Sequence, residues 1–233
     1  NIMAQAAKSA EEVGVEIVGG HTEITEAVNQ PVIVSTAFGK TVTDGFQSAS
    51  DMRAGDVVLM TKQAGLEGTG IICSDYEDEL SKVLSADELA EGKSKLDDVS
   101  VVKEGVIAGR IGTHGMHDVT EGGVLGAVWE MCNISGLGVL IDEDKIAVSE
   151  VTKKVCKYFS IDWKRLISSG CMLIVASAEK AEYICAEFEN NGIMVSQIGI
   201  VTEASEGLML KKSDGKLEKI DSPKTDELYR VSV

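Results

Sequence analysis

The chain has 233 residues, of which 44% are hydrophobic and 26% are charged. This composition is typical of an ordinary globular protein with one large domain or two small ones, and it excludes a disordered chain. The 22 basic and 38 acidic residues give a net charge of −16, which repels a nucleic acid backbone or an anionic lipid surface at long range. No apolar run approaches the roughly 18 residues of a membrane helix. We therefore expect neither nucleic acid nor a membrane as a partner.

The five cysteines are scattered and odd in number, and no two of them form a CxxC pair. This spacing fits neither a disulfide framework nor a zinc knuckle, so we expect core cysteines in a reducing, cytoplasmic compartment. The opening segment is amphipathic and mixed in charge, which is not the pattern of a signal peptide. Because the chain starts at Asn1 without an initiator methionine, we expect upstream residues that are absent from it.

The first part of the chain predicts one helix followed by two strands. Apolar residues recur at helical spacing over residues 2–13, and Gly14 suits the end of that helix. β-branched residues then predict strands at 15–18 and 31–39. Turn residues follow, and we place a domain boundary near residues 45–50, which gives two domains at residues 1–45 and 46–233.

Helices and strands interleave beyond that boundary, with no linker or internal repeat. Short β-branched runs predict buried strands, and apolar residues three and four apart predict helices. The acidic segment 75–98 is interpreted as a solvated helical face. This order predicts a compact α+β body. The predicted strands are 57–60, 137–141, 172–176, 193–201 and a weak hairpin around 213–215; the predicted helices include 101–112, 124–132, 150–159, 162–167 and 179–190.

Three glycine-containing segments could carry chemistry, and the first is Gly19-Gly20-His21-Thr22-Glu23. Its two glycines let backbone N–H groups approach an anion, while an imidazole, a hydroxyl and a carboxylate stand beside them. That combination suits a magnesium-phosphate site. Taken alone, a simple tight turn explains the two glycines at least as well.

The second segment begins at Lys62 and continues through Gly65, Gly68, Thr69 and Gly70, directly after a predicted strand. Three glycines in six residues would leave the backbone able to wrap a ligand at the carboxyl end of that strand. The lysine precedes the glycines, so the segment is not a Walker loop. Ligand binding and a plain turn both remain open.

The third segment, residues 114–123, contains two of the three histidines, two carboxylates and three glycines, immediately before a predicted helix. Asp118 and Thr120 could simply cap that helix. The functional interpretation is an anion-binding or substrate-binding loop at the helix N-terminus. Gly115 breaks any helix between the histidines, so we do not expect a dedicated transition-metal site.

Taken in order, these motifs resemble the aminoimidazole ribonucleotide (AIR) synthase superfamily. The stretches that carry the resemblance are GGHTE at 19–23, GDVVLMT at 55–61 and MHDVTEGG at 116–123. Two later stretches, GLGVLID at 136–142 and SGCMLIV at 169–175, are most similar to the branch of the hydrogenase maturation protein HypE.

The resemblance implies a two-domain α+β subunit that dimerises through its N-terminal domains, which also hold most of the ATP and magnesium contacts. Residues 1–45 would be the end of that ATP-binding domain, and residues 46–233 an AIR synthase-like C-terminal α/β sandwich domain. In the family, the γ-phosphate of ATP activates an oxygen atom of a small molecule. The implied catalytic residues are Asp118, Thr120 and Glu121, and the implied nucleotide-binding residues are Gly19, Gly20, His21, Thr22, Glu23, Gly122 and Gly123. The glycine pattern of the second segment adds Lys62, Gly68, Thr69 and Gly70 as candidate nucleotide-binding residues.

The chain also departs from the HypE pattern. His21 stands where relatives often carry an acid, Glu121 replaces an arginine, and residues 186–233 lack the cysteine in which HypE proteins end. The upstream acidic loop that supplies magnesium ligands in the family is not in this sequence, so metal ligands are not assigned. We therefore expect a homodimeric, HypE-like enzyme that acts on an unidentified small molecule and does not convert a carbamoyl group to cyanide. The alternative is a non-catalytic dimeric binding or scaffold protein with the same fold.

Overall fold

The computed structural model describes residues 2–41 and 46–232, which belong to two units that divide between Phe46 and Gln47. The domain boundary predicted near residues 45–50 begins at Gly45, which lies outside the described residues. In the first unit, helix α1 (Ile2–Val13) is followed by backbone without regular secondary structure, whose side chains are exposed. The strands predicted at 15–18 and 31–39 are wrong, because no neighbouring segment within residues 2–41 completes a hydrogen-bonded ladder with them.

The second unit is built on a seven-stranded mixed sheet. Its strands are β1 (Val57–Thr61), β2 (Gly115–Asp118), β3 (Gly138–Asp142), β4 (Met172–Ala176), β5 (Val195–Thr202), β6 (Leu208–Lys211) and β7 (Leu217–Lys219). The strand order is β2-β4-β1-β5-β3-β6-β7. All neighbours are antiparallel except β3 and β6, which are parallel.

Helices cover both faces of the central strands. Because successive side chains of a strand point to opposite faces, Val58 and Met60 of β1 pack with one set of helices while Val57 and Leu59 pack with another. This explains why β1 and β4 are continuous apolar runs. The helices are α2 (Leu66–Asp75), α3 (Glu77–Leu80), α4 (Ala86–Ser94), α5 (Val102–Ile111), α6 (Gly123–Ser135), α7 (Glu150–Phe159) and α8 (Ala178–Asn190).

The two faces have different helices. The core residues of α6 lie in the cluster with Val58 and Met60, and those of α5 and α8 lie in the cluster with Val57 and Leu59. A third cluster joins α2, α4 and α7 beside the sheet. The molecule is thus an α+β fold, which confirms the predicted class.

Most predicted elements of this unit are confirmed, with two corrections. The predicted helix at 162–167 is a single 3-10 turn over Trp163–Arg165, and residues 115–118, which the sequence placed in a loop, form β2 at the edge of the sheet. Among the described residues, no helix has both the length and the apolarity that crossing a bilayer requires.

Candidate functional site

Two of the three glycine-containing segments lie at the same end of the sheet, on either side of β4. Asp118 is paired with Met172, and the Met172 amide donates to Oγ1 of Thr61 at 3.0 Å. The carboxyl ends of β1 and β2 therefore flank the start of β4, two strand spacings or about 10 Å apart. We call Lys62–Gly70 the 62–70 segment and Asp118–Gly123 the site loop.

Lys62 begins the 62–70 segment with its charge already neutralised. Its Nζ lies 2.9 Å from Oδ1 of Asp98 and 3.1 Å from Oε1 of Glu104, and it donates to the carbonyl of Ser100 at 2.7 Å. The side chain of Lys62 is 14% exposed and that of Glu104 is 3% exposed. A buried lysine with two carboxylate partners is not available to a phosphate.

The ligand-wrapping turn predicted for the rest of this segment is wrong, because Gly68, Thr69 and Gly70 are buried within helix α2. A Cβ on Gly68 would lie 2.5 Å from Cγ of Leu166, and a Cβ on Gly70 would lie 2.6 Å from the side chain of Leu96. Thr69 shares a buried hydrogen bond with another hydroxyl, Oγ1 of Thr152, at 2.9 Å. The glycines of this helix allow close packing of its neighbours.

A cleft lies beside the 62–70 segment, and each lysine that lines it already has a protein partner. Besides Lys62, Nζ of Lys95 donates to Oε1 of Gln63 at 3.2 Å, and Nζ of Lys103 donates to the carbonyl of Asn191 at 2.9 Å. The lining also includes three acids, Glu91, Asp98 and Glu104. The cleft therefore has a balanced charge.

The site loop keeps its polar side chains accessible. It starts at Asp118, whose side chain is 60% exposed, and it is anchored where the Val119 amide donates to the Cys171 carbonyl at 2.9 Å. Thr120 is half-buried and Glu121 is exposed. The structure thus brings the three predicted catalytic residues to the surface at the end of β2.

The helix-cap explanation for this loop is wrong. Helix α6 has Gly122 as its N-cap, with a φ of +83°, and no side chain caps it from within the loop. Asp118 and Thr120 are therefore available for a role other than capping. Gly122 and Gly123 are buried, so the prediction that they cradle a phosphate is not supported by their surroundings.

Gly123 is required by a close approach of backbone. It has a φ of +61°, and a Cβ there would lie 2.7 Å from the Lys164 carbonyl oxygen and 2.8 Å from the backbone of Arg165. Backbone cannot move aside as a flexible side chain can. The start of α6 is thereby fixed against the 3-10 turn at 163–165.

Two residues near the chain's end contact the site loop. Oδ2 of Asp226 accepts the Gly122 amide at 2.7 Å, and the Tyr229 hydroxyl donates to Oε1 of Glu121 at 3.3 Å. The negative charge of Glu121 and this hydrogen bond raise the pKa of the Tyr229 phenol. Sequence reasoning missed both contacts, and the one readable signal was that Asp226 suits the N-cap of a short turn at 227–230.

The two histidines of the 114–123 segment are held by separate carboxylates. Nε2 of His117 lies 2.8 Å from Oε2 of Glu130, and Nδ1 of His114 lies 2.7 Å from Oδ2 of Asp56. His114 adjoins the start of β1 through Asp56, whereas His117 precedes the site loop. Within residues 2–41 and 46–232, no three His, Cys, Asp or Glu side chains are grouped so that they could hold a metal ion.

Four of the cysteines are buried, which confirms that they are core residues, whereas Cys185 is half-buried. Burial raises the pKa of Cys73 and of Cys132 to about 11, and the pKa of Cys156 to about 12. Burial raises the pKa of the Cys171 thiol as well. Since the thiolate is the nucleophile, these cysteines are unsuited to covalent catalysis near neutral pH.

The Gly19–Glu23 segment belongs to the first unit. It is exposed, and a Cβ added to Gly19 or Gly20 would meet no atom within 4 Å. Nε2 of His21 lies 4.0 Å from Oε2 of Glu23. The assignment of these residues to nucleotide binding stays a prediction.

Comparison with known proteins gives a family match over most of the second unit. The family described as "AIR synthase related protein, C-terminal domain" matches residues 53–211. A hydrogenase expression/formation protein of Methanocaldococcus jannaschii is 26% identical over 233 residues, covering 96% of this chain and 65% of the relative. The carbamoyl dehydratase HypE of Rhodobacter capsulatus is 27% identical over 188 residues, covering 79% of this chain and 53% of the relative. The chain thus spans between half and two thirds of these relatives.

Solved structures share the fold. E. coli HypE, a hydrogenase maturation protein, matches with a TM-score of 0.67 and 23% identity, over 82% of this chain and 56% of that one. A HypE solved in complex with ATP matches with a TM-score of 0.60 and 18% identity, over 80% of this chain and 55% of that one. At these identities the likeness concerns the fold alone.

Proposed function

Since this chain belongs to the AIR synthase related protein family through its C-terminal domain, we propose that the protein is an ATP-dependent enzyme. In this proposal it activates an oxygen atom of a small molecule by phosphoryl transfer. The observation that carries the proposal is the family match over residues 53–211. Two relatives support it, one a carbamoyl dehydratase and the other a HypE solved in complex with ATP. The substrate is a small molecule that the fold does not identify.

The chemistry of the site loop indicates which reactant it serves. Asp118 and Glu121 are carboxylates in a protein of net charge −16, so they repel the phosphates of ATP. The positive charge of Lys62 is neutralised by Asp98 and Glu104, so Lys62 does not offset this repulsion. We therefore assign the site loop to the acceptor substrate, and the nucleotide to residues outside the 62–70 segment.

Magnesium enters this proposal together with ATP. The described residues of this chain contain no three-ligand metal group of their own, so no step is assigned to a protein-bound ion. When bound to ATP, magnesium would offset the charge of the phosphates. Residues 1–45 would contribute to the ATP-binding domain of a cytoplasmic homodimer.

In the proposed reaction, an amide or carbonyl oxygen of the acceptor attacks the γ-phosphorus of ATP. The bond from that phosphorus to the β,γ-bridging oxygen breaks, and ADP leaves with the bridging oxygen. If the acceptor is an amide, its nitrogen loses a proton as the oxygen is phosphorylated, and the accessible carboxylate of Asp118 accepts that proton. Phosphate then leaves the activated carbon together with that oxygen: either a nucleophile of the substrate displaces it, or, from an amide, it is eliminated as the nitrogen loses its second proton. Thr120 supplies a hydroxyl for a hydrogen bond to the acceptor.

Calorimetry on the natural protein tests the nucleotide part of this proposal. The non-hydrolysable analogue AMPPCP is expected to bind with a dissociation constant below about 100 μM, or about −5.5 kcal/mol, and only when magnesium is present. Asp118→Asn should bind it at least as tightly, because Asp118 faces the acceptor and its charge repels the phosphates. No binding at millimolar AMPPCP would instead favour the non-catalytic binding or scaffold protein.

A further inference from the structure

The segment near the end of the chain folds back over the site loop. We call Asp221–Arg230 the C-terminal strap. Within it, Asp226 is 4% exposed, and its carboxylate accepts three backbone amides. Oδ2 accepts from Gly122 at 2.7 Å, while Oδ1 accepts from Leu228 at 2.8 Å and from Ile167 at 3.2 Å.

Other strap residues contact the same two segments, the site loop and the turn at 162–167. Oε2 of Glu227 accepts the Asp162 amide at 3.1 Å, and Nη2 of Arg165 donates to the Asp221 carbonyl at 3.3 Å. The strap also covers Gly122, since a Cβ there would lie 3.0 Å from Cβ of Pro223. The strap therefore holds together two segments distant in sequence, the site loop and the turn at 162–167.

These contacts place an anchor at each end of the exposed part of the site loop. At its start, the loop is fixed by the pairing of Asp118 with Met172 in β4. At its end, Gly122 has a positive φ and is held by Asp226. A buried carboxylate that accepts several backbone amides is a strong, directional anchor, because such hydrogen bonds are charge-assisted. Thr120 and Glu121 lie between these two fixed points.

We propose that Asp226 is a positioning residue, which fixes the site loop so that Thr120 and Glu121 face the acceptor substrate in one conformation. The C-terminal strap acts through the backbone of Gly122 and does not itself need to touch the substrate. The catalytic meaning of this inference rests on the proposed function, whereas the anchoring itself is independent of it.

Hydrogen exchange on the natural protein tests the anchoring. Asp226→Asn keeps the size of the side chain and its acceptor for Leu228, but it removes the charge and one acceptor oxygen. We expect the hydrogen-bonded amides of Gly122 and Gly123 to exchange at least about tenfold faster, equivalent to about 1.4 kcal/mol of local opening. Amides of β4 should keep their wild-type rates. The matched control is Glu227→Gln, an equally buried neighbour that contacts Asp162 and should leave residues 120–123 unchanged.

Two results would overturn the proposal. The first is an unchanged exchange rate at the amides of Gly122 and Gly123 in Asp226→Asn. The second is a rise in exchange that is equal in the loop and in β4, which would mean that Asp226 contributes only to global stability. If the variant does not fold, wild-type rates decide: the Gly122 amide should exchange at least about tenfold more slowly than that of Glu121. Equal rates at the two amides would also overturn it.

Turnover separates the anchoring from the proposed function. If the natural protein forms ADP from Mg·ATP, Asp226→Asn is expected to lower kcat at least about tenfold with KM for ATP unchanged, because the nucleotide lies elsewhere. A change in KM for ATP alone would contradict the positioning role. A natural protein that binds no AMPPCP contradicts the proposed function, and the exchange rates still decide whether Asp226 anchors the loop.

Discussion

The 62–70 segment and the site loop are similar in composition and opposite in structure. Both are rich in glycine, and each lies at the carboxyl end of a strand, β1 or β2, at the same end of the sheet. In the 62–70 segment the lysine is paired and the glycines are packed under Leu96 and Leu166. In the site loop the glycines are buried but the polar side chains are exposed. Since the glycines are buried in both segments, the difference lies in the polar side chains: Lys62 is paired within the protein, whereas Asp118 and Glu121 are exposed and able to contact a ligand.

The largest expected effect tests whether Lys62 is structural. Lys62→Met would leave the buried carboxylate of Glu104 without its cation, and we expect a loss of about 3–5 kcal/mol in the free energy of unfolding. Chemical denaturation measures it. The double variant Lys62→Met/Glu104→Gln should be more stable than Lys62→Met alone, because the uncompensated charge is gone. A loss below about 1 kcal/mol for Lys62→Met would show that its ion pairs contribute little to stability and that Lys62 could instead bind a ligand.

The next prediction concerns the backbone contact at the base of the site loop. Gly123→Ala is expected to cost about 3 kcal/mol, because it adds a clash with the backbone of Lys164 and Arg165 to the strain of a positive φ. The control is Gly136→Ala, which has a φ of +71° and no atom within 4 Å of its Cβ, and should cost about 1–2 kcal/mol. Equal losses of stability for Gly123→Ala and Gly136→Ala, in thermal or chemical denaturation, would show that the start of α6 can move away from the backbone of residues 164–165.

A smaller effect is expected for the glycines of α2. Gly68→Ala places a methyl group 2.5 Å from the flexible side chain of Leu166, and we expect a loss of about 2 kcal/mol. Gly105→Ala in α5 meets only Cε of Met172 at 3.6 Å, so it should stabilise the protein by about 0.5–1 kcal/mol. A stabilising Gly68→Ala would refute the packing role of this glycine.

Much of the second unit could be predicted because its signals are local. The apolar run at 57–60 and the spacing of apolar residues in 150–159 each indicate one element, and both are confirmed as β1 and α7. The hairpin around 213–215 is confirmed as β6 and β7, since Ser-Asp-Gly is a strong turn signal.

The remaining features depend on partners far away in sequence. Strand β2 contains a glycine, a histidine and an aspartate, so its pattern does not indicate a strand, and it exists through pairing with β4. Helix α2 tolerates its glycines because Leu166, about a hundred positions away, fills the space beside Gly68. The role of Asp226 depends on Gly122, 104 positions away. No local pattern contains that information.

The most direct test of the central claim, that the exposed carboxylate of the site loop serves phosphoryl transfer, is Asp118→Asn in the natural protein. Since Asp118 caps no helix and its side chain is 60% exposed, the melting temperature should stay within about 2 °C of wild type. The rate of ADP formation from Mg·ATP should fall at least about tenfold, or about 1.4 kcal/mol. An unchanged rate of ADP formation in a variant with an unchanged melting temperature would contradict the account.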